Sequence, residues 1–156
     1  MAIRVARKLP EHLVGYRLLP YSLCYYANRD YLAATPRHEL RWIAPSQAEQ
    51  WPDLVEGSAY PDVPIGITID DIVTRFIALK RGHGLGRTAC FLGDSCADLV
   101  RLPNALPTPQ VDIWVLTHPD LKDTARVKVL MQFLTQALRD KRALIQGELP
   151  HDKSDA

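Results

Sequence analysis

The most reactive side chains in this sequence are its three cysteines, Cys24, Cys90 and Cys96. Cys90 and Cys96 flank a short predicted helix, so they could meet, but a redox-sensing thiol must be an exposed thiolate. No oxyanion-type glycine motif accompanies either cysteine, which disfavours a nucleophilic pair with His83. A thiol redox sensor or thiol enzyme is therefore the weakest hypothesis, and we predict no catalytic residue.

The histidines do not predict a metal centre. His12, His38 and His151 show no metal-ligand spacing with one another or with a cysteine. His118 precedes Pro119 and is expected to shape a turn. His83 stands between two glycines, which favours an exposed position. We therefore predict no metal and no cofactor.

Gly82, Gly84 and Gly86 form a glycine-rich turn after Asp70 and Asp71. The P-loop Lys-Ser/Thr pair is absent and the G-x-G-x-x-G spacing is not met, so a nucleotide site is not predicted. A Gly-x-Gly turn still lets backbone approach a ligand closely, and a helix N-terminus offers unpaired amides to an anion. The two aspartates also fit a purely structural role as helix caps, and an acidic pair repels a carboxylate ligand.

Composition excludes several classes of protein. A chain of 156 residues makes one domain, or a domain and a fragment. A net charge of +1 lacks the basic excess of a nucleic-acid-binding domain. No apolar stretch approaches ~18 residues and no secretory signal is present, so the sequence predicts neither a membrane span nor export. Three cysteines in an ordinary globular composition favour reduced thiols in the cytoplasm.

Apolar runs predict strands at residues 2–6, 23–26, 41–43, 65–69, 84–89, 100–102 and 111–117. The first strand is expected to be mostly buried. Predicted helices follow Asn28, the capping box Ser46–Glu49, and Asp70 or Asp71, the last ending at Gly82. A long amphipathic helix is predicted over 123–142, with Leu130 on its apolar face. Strands alternating with helices favour an α/β fold with mainly parallel pairing.

Two runs resemble the sensing domain of LysR-type transcription regulators. The first extends from Asp70 through Lys80-Arg81-Gly82-His83-Gly84-Leu85 to Asp94. The second, "DIWVLTHPDL…TARV", extends from Asp112 to Val127 and is the more specific. The resemblance covers Ala2 to about Arg142. It departs at Ala89, where the family usually has proline, and at Arg87, where it usually has a small or apolar residue.

The resemblance implies a periplasmic-binding-protein type II-like α/β fold, with one complete lobe and the C-terminal remnant of the other. Lobe two would span about 20–105, lobe one would keep 1–8 and 111–142, and 143–156 would be a flexible tail. The family's helix-turn-helix would be missing, so the resemblance implies an N-terminally truncated regulator. Strands 2–6 and 111–117 would then have unpaired edges, and we expect marginal stability and self-association.

Family members bind small effectors between the lobes, and the resemblance places Ile69, Asp70, His83 and Leu85 on lobe two's side of that cleft. It implies a carboxylate-bearing or aromatic effector, a cytoplasmic protein, no direct nucleic-acid contact and no enzymatic activity. The alternative is a protein-interaction module that pairs through the helix at 71–81. Its partner would be a second copy or a full-length regulator.

Overall fold

The computed structural model describes residues 1–6, 8, 12–46 and 55–149, and a seven-stranded mixed sheet forms their centre. The strand order is β1-β7-β2-β5-β3-β4, with β6 paired to β2. The strands are β1 (Ala2–Ala6), β2 (Val14–Asn28), β3 (Trp42–Ala44), β4 (Ile65–Thr68), β5 (Leu85–Ala89), β6 (Leu99–Arg101) and β7 (Thr108–Thr117).

Five α-helices lie wholly within the described residues: α1 (Arg29–Ala34), α2 (Ile72–Lys80), α3 (Cys90–Gly93), α4 (Ala125–Asp140) and α5 (Arg142–Gln146). Asn28 caps α1 by accepting a hydrogen bond from the Tyr31 amide, as predicted. Asp71 caps α2, and Gly82 follows it with a φ of 74°, again as predicted. The predicted capping box lies, from residue 47 onward, outside the described residues. None of the described helices has the length and hydropathy needed to cross a membrane.

The long strand β2 organises the sheet. It pairs antiparallel with β7, β5 and β6, and β1 pairs antiparallel with β7. Parallel pairing joins β3 to β4 and to β5. The prediction of mainly parallel pairing is therefore wrong. Parallel neighbours need a long crossover connection. The strands on either side of β2 run antiparallel to it instead.

Both faces of β2 are covered in its second half. Tyr25 and Ala27 enter one apolar cluster with Trp42, whose ring meets the Tyr25 ring edge-on at 5.9 Å. Cys24 and Tyr26 enter a second cluster on the opposite face, as the two-residue side-chain period of a strand requires. Burial on both faces explains why residues 23–27 form an unbroken apolar and aromatic run.

The first strand is an exposed edge, not a mostly buried one. Ile3 and Val5 keep 51% and 53% of their surface exposed. β7 has a strand on each side, because β1 pairs with one edge and β2 with the other. The expected open edge of 111–117 is therefore closed. Among the described strands, β1 and β4 stand at the two ends of the strand order, and each is an edge strand.

The C-terminal part of the described chain is helical where a flexible tail was expected from 143. Helix α5 places Ile145 against Leu19 and Ile113, with 5% of Ile145 exposed. Residues 150–156 lie outside the described residues. The predicted helix 123–142 is present as α4. Leu130, which was expected on its apolar face, is 43% exposed, and the buried residues of α4 are Met131 and Thr135.

Candidate functional site

The carboxyl ends of the parallel strands β3 and β4 meet at one edge of the sheet. The Ile69 amide donates to the Ala44 carbonyl at 2.8 Å. Two residues after Ala44 and one residue after Ile69, the Ser46 amide and hydroxyl donate to Asp70 Oδ1 at 2.7 Å and 2.6 Å. In sheets of this kind, ligands bind outside the carboxyl ends of parallel strands. This carboxyl edge is therefore the candidate functional site.

Helix α2 starts at this edge, and its first turn is already occupied. The Asp71 carboxylate accepts from the Thr74 amide and hydroxyl, both at 2.7 Å. Arg75 reaches back and donates from Nη1 to the Ile69 carbonyl at 2.8 Å. Because Asp71 satisfies one of the few free amides, the anion-binding role considered for this helix N-terminus is disfavoured.

Two carboxylates, those of Asp70 and Asp71, and one guanidinium, that of Arg75, lie at this edge, so these side chains carry a net negative charge. The Ser46 hydroxyl, followed by the Ser46 amide, lowers the pKa of Asp70. The Thr74 hydroxyl, followed by the Thr74 amide, lowers the pKa of Asp71. Both carboxylates are exposed and stay ionised at neutral pH. A ligand group that lies here gains by donating hydrogen bonds and loses by carrying negative charge.

The four residues named from the sequence lie at two different ends of the parallel strands. Ile69 is half-buried and Asp70 exposed at the carboxyl edge. His83 is exposed, but it precedes β5 and so lies at the amino end of the parallel strands. Leu85 pairs with Trp42 at that same end, and its side chain is fully buried. The resemblance located the motifs but not the direction of each strand, which decides the end at which a residue lies.

Sequence reasoning missed Ser46 as a site residue because it was interpreted as a helix cap. At the carboxyl end of β5 the structure places Thr88 and Ala89, both buried. Arg87 is half-buried, with its guanidinium carbon 5.6 Å from the centre of the Tyr25 ring. Its Nε is buried and has no hydrogen-bond acceptor among the described residues. This departure from the family pattern therefore adds a cation and a free donor to β5.

This fold separates the cysteine and the histidine that a thiol enzyme would need. Cys90 directly follows β5 and His83 precedes it, so the two are separated by the length of that strand, about 16 Å for five residues. Cys90 is fully buried and Cys96 half-buried. Within the described part of the chain, no group of His, Cys, Asp and Glu side chains could hold a metal ion.

A separate open cavity of about 710 Å³ lies between α1 and the end of α2. Its charged lining residues are Asp30, Lys80, Arg81 and Asp98. Lys80 pairs with Asp98 at 3.5 Å, while Asp30 lies at the start of a helix and Arg81 at the end of one, where each complements the helix dipole. The charges have local structural reasons, and the cavity lies away from the carboxyl edge.

Comparison with known proteins identifies the fold. The regulatory domain of CrgA, a LysR-type transcriptional regulator from Neisseria meningitidis, matches with a TM-score of 0.64 and 17% identity over 87% of this chain and 74% of that one. The effector domain of AmpR of Pseudomonas aeruginosa matches with a TM-score of 0.66 and 14% identity, covering 95% and 74%. A second CrgA structure is matched over 51% of its length.

No curated protein matches the sequence. The family model described as the LysR substrate binding domain matches residues 1–139, which is most of the chain. At these identities the solved structures show the fold, and the family model shows the membership. This chain belongs to the LysR substrate-binding domain family, and its mixed sheet is the type II periplasmic-binding-protein-like α/β fold of that family's effector-binding domains.

Proposed function

We propose that this chain is the effector-sensing part of a cytoplasmic LysR-type transcription regulator, and that its effector binds at the carboxyl edge of β3 and β4. The observation that carries the proposal is the hydrogen bonding of Ser46, which follows β3, to Asp70, which follows β4. Both residues are exposed, and they lie at the edge where sheets with parallel strands bind ligands. The fold is that of regulatory domains, so we assign the chain no catalytic role.

The two-lobed organisation is part of this proposal, with lobe two over about 20–105 and lobe one over 1–8 and 111–142. The register of β2 against β7 shifts on either side of Pro20. Proline removes a ladder hydrogen bond, and such irregularities bend a strand. Pro20 therefore supports a bend in β2 just before Leu23, the residue at which the pairing of β2 passes from β7 to β5.

The charge of the edge narrows the effector class. Asp70 and Asp71 are both ionised and would repel a carboxylate placed beside them. Half-buried Ile69 offers apolar contact next to the Asp70 acceptor. Of the two effector classes expected from the sequence, an aromatic molecule with a hydrogen-bond donor fits this edge better than a carboxylate. Any carboxylate of the effector would face away from it.

Three probes with one ring and different head groups test this assignment: benzylamine, benzyl alcohol and benzoate. In amide-resolved NMR titrations of the purified chain, we expect benzylamine and benzyl alcohol to shift the resonances of Ser46, Ile69 and Asp70, and benzoate to leave them unchanged. Asp70→Asn should weaken the benzylamine response at least several-fold. Asp62→Asn, an exposed aspartate paired with Arg37, is the control and should respond as wild type. Equal shifts with benzoate would contradict the proposal.

A second function, pairing with another copy or with a full-length regulator, is supported by the outer face of α2. Ile72, Val73 and Ile77 are 58%, 61% and 51% exposed, and contiguous exposed apolar residues often mark an interface. Val73→Lys should shift sedimentation velocity profiles toward the monomer. Leu106→Lys, at a position just before β7 that is 77% exposed, is the control. Equal effects of the two substitutions would remove α2 as the interface.

DNA contact by the described chain is not part of the proposal, because the net charge of +1 gives no basic excess.

A further inference from the structure

Arg87 lies on an interior strand of the sheet, β5, in surroundings that are unusual for a charged residue. It pairs directly with Tyr25 of β2, and its guanidinium carbon lies 5.6 Å from the centre of the Tyr25 ring. Arg87 is half-buried, and its Nε is shielded from solvent without a hydrogen-bond acceptor among the described residues. Buried donors in folded proteins are nearly always paired, so a buried donor without an acceptor needs an explanation.

The described part of the chain supplies no negative charge to Arg87. None of the ion pairs between described residues includes it. Burial raises the pKa of Tyr25 above its ordinary value of 10.0, although Arg87 opposes that rise, so the Tyr25 hydroxyl is neutral at pH 7. By comparison, the Arg101 guanidinium makes a two-point ion pair with Asp94. A partly buried charge without a partner is unfavourable, so Arg87 is suited to an anion that arrives from solution.

The sheet places Arg87 beside the candidate effector site. β5 runs parallel to β3, and Leu85 pairs with Trp42. Two residues further along both strands, Arg87 is level with Ala44, the last residue of β3. β3 separates β5 from β4, so the backbones of these two strands lie about 10 Å apart. The site therefore has an acceptor at Asp70, after β4, and a cation on β5.

We propose that Arg87 is a carboxylate-binding residue, and that the effector is an aromatic acid whose carboxylate pairs with the Arg87 guanidinium. The identification of this carboxylate with the effector rests on the proposed function. Asp70 and Asp71 repel a carboxylate at the carboxyl edge, and Arg87 is the group toward which it turns.

The shape and charge of Arg87 select the carboxylate among anions. A planar guanidinium pairs with the two oxygens of a carboxylate through two parallel hydrogen bonds. One unpaired cation balances the single charge of a monocarboxylate, whereas a phosphate monoester carries about −1.5 to −2 at pH 7. The excess negative charge of a phosphate would stay uncompensated beside a half-buried residue.

Tyr25 prepares Arg87 for this role. A guanidinium within about 6 Å of a ring centroid is attracted to the face of the ring, and Arg87 meets that condition. The contact restricts the arginine side chain before an anion arrives. Because less side-chain freedom is then lost on binding, the affinity for the anion is higher.

Two probes with one ring and different anionic groups, benzoate and phenyl phosphate, test the proposal. In amide-resolved NMR titrations of the purified chain, we expect benzoate to shift the resonances of Tyr25, Arg87 and Thr88, and phenyl phosphate to do so at least several-fold more weakly. Benzoate should also raise the urea midpoint, because a ligand that binds only the folded state stabilises it. Equal shifts with phenyl phosphate, or no shift of these amides with benzoate, would overturn the proposal.

Substitutions of Arg87 assign the binding to its side chain. Arg87→Gln removes the charge and should abolish the benzoate response. Arg87→Lys keeps the charge but loses the two-point geometry, so the affinity for benzoate should fall at least several-fold. Arg4→Gln removes an exposed arginine on β1 and, as the control, should bind benzoate like wild type. Wild-type affinity in both Arg87 variants, or an equal loss in Arg4→Gln, would overturn the assignment. If Arg87→Gln does not fold, Arg87→Lys decides.

Failure of the carboxylate site and failure of the effector edge give different results. Benzylamine shifts at Ser46 and Asp70 report on the edge, and benzoate shifts at Arg87 report on the carboxylate site. Benzylamine binding without benzoate binding leaves the proposed function standing and overturns the role of Arg87. Benzoate binding without benzylamine binding supports Arg87 as a carboxylate site and removes the edge as the place where the effector binds.

Discussion

Asp94 and Arg101 form a two-point ion pair inside the protein, with Arg101 Nε 2.9 Å from Asp94 Oδ1 and Nη2 2.6 Å from Oδ2. Their side chains are 6% and 12% exposed. Asp94 ends α3 and also accepts from the Tyr26 hydroxyl, while Arg101 ends β6 and also donates to the Gly147 carbonyl. One buried ion pair therefore joins β2, α3, β6 and the end of α5.

Removing one member of this pair should be costly, because it leaves the other charge buried without compensation. We expect Arg101→Met to lower the free energy of unfolding by about 3–5 kcal/mol, measured by urea denaturation. The control is Arg37→Met, which breaks the exposed pair with Asp62, 57% and 65% exposed, and should cost about 0–1 kcal/mol. Similar losses of unfolding free energy for the two variants would contradict the prediction that breaking the buried Asp94–Arg101 pair costs more than breaking an exposed pair.

The contact of Gly93 with Tyr26 predicts a second stability effect. A Cβ built on Gly93 would lie 2.3–2.6 Å from carbons of the fully buried Tyr26 ring. Gly93→Ala must displace that ring, and we expect a loss of about 1–3 kcal/mol or more. At Gly57 the nearest atom is the Tyr25 hydroxyl at 3.5 Å, an ordinary contact. Gly57→Ala should therefore leave the urea midpoint almost unchanged, and a comparable shift would contradict the clash.

Local features of this fold were predictable from sequence, and contacts between distant segments were not. The caps at Asn28 and Asp71 depend on neighbouring residues, so the sequence predicted them. The Ser46–Asp70 junction joins residues 24 apart and depends on β3 pairing with β4, which no local pattern encodes.

The errors in the sequence analysis have the same physical origin. Ile3 and Val5 alternate with Arg4 like residues of a core strand, but burial depends on what covers β1. His83 and Leu85 were grouped with Asp70 because of their motif. The direction of β5 is a property of the whole sheet. It places His83 and Leu85 at the amino end of the parallel strands, whereas Asp70 follows the carboxyl end of β4.

The burial of Ile145 predicts that α5 stabilises the fold. Ile145 packs on Leu19 and Ile113 with 5% of its surface exposed. Truncating a buried isoleucine costs its transfer free energy and leaves a cavity, so Ile145→Ala should cost about 2–5 kcal/mol. Leu149→Ala removes an apolar side chain that is 42% exposed and should cost clearly less. If both variants unfold at the wild-type urea concentration, residues after 142 act as the flexible tail expected from the sequence.

The cap of α2 predicts a pH dependence of stability. The Thr74 hydroxyl and amide lower the pKa of Asp71 below its ordinary value of 3.8. A carboxylate with a lower pKa in the folded state stabilises the fold at pH values above 3.8, and this contribution is lost as the pH falls through the lower folded value.

Asp71→Asn keeps a capping side chain but cannot titrate. We therefore expect the wild type to exceed Asp71→Asn in urea midpoint at pH 7 and to lose that advantage below about pH 3.8. A constant gap between wild type and Asp71→Asn from pH 7 to pH 3 would mean that the charge of Asp71 does not contribute to the cap.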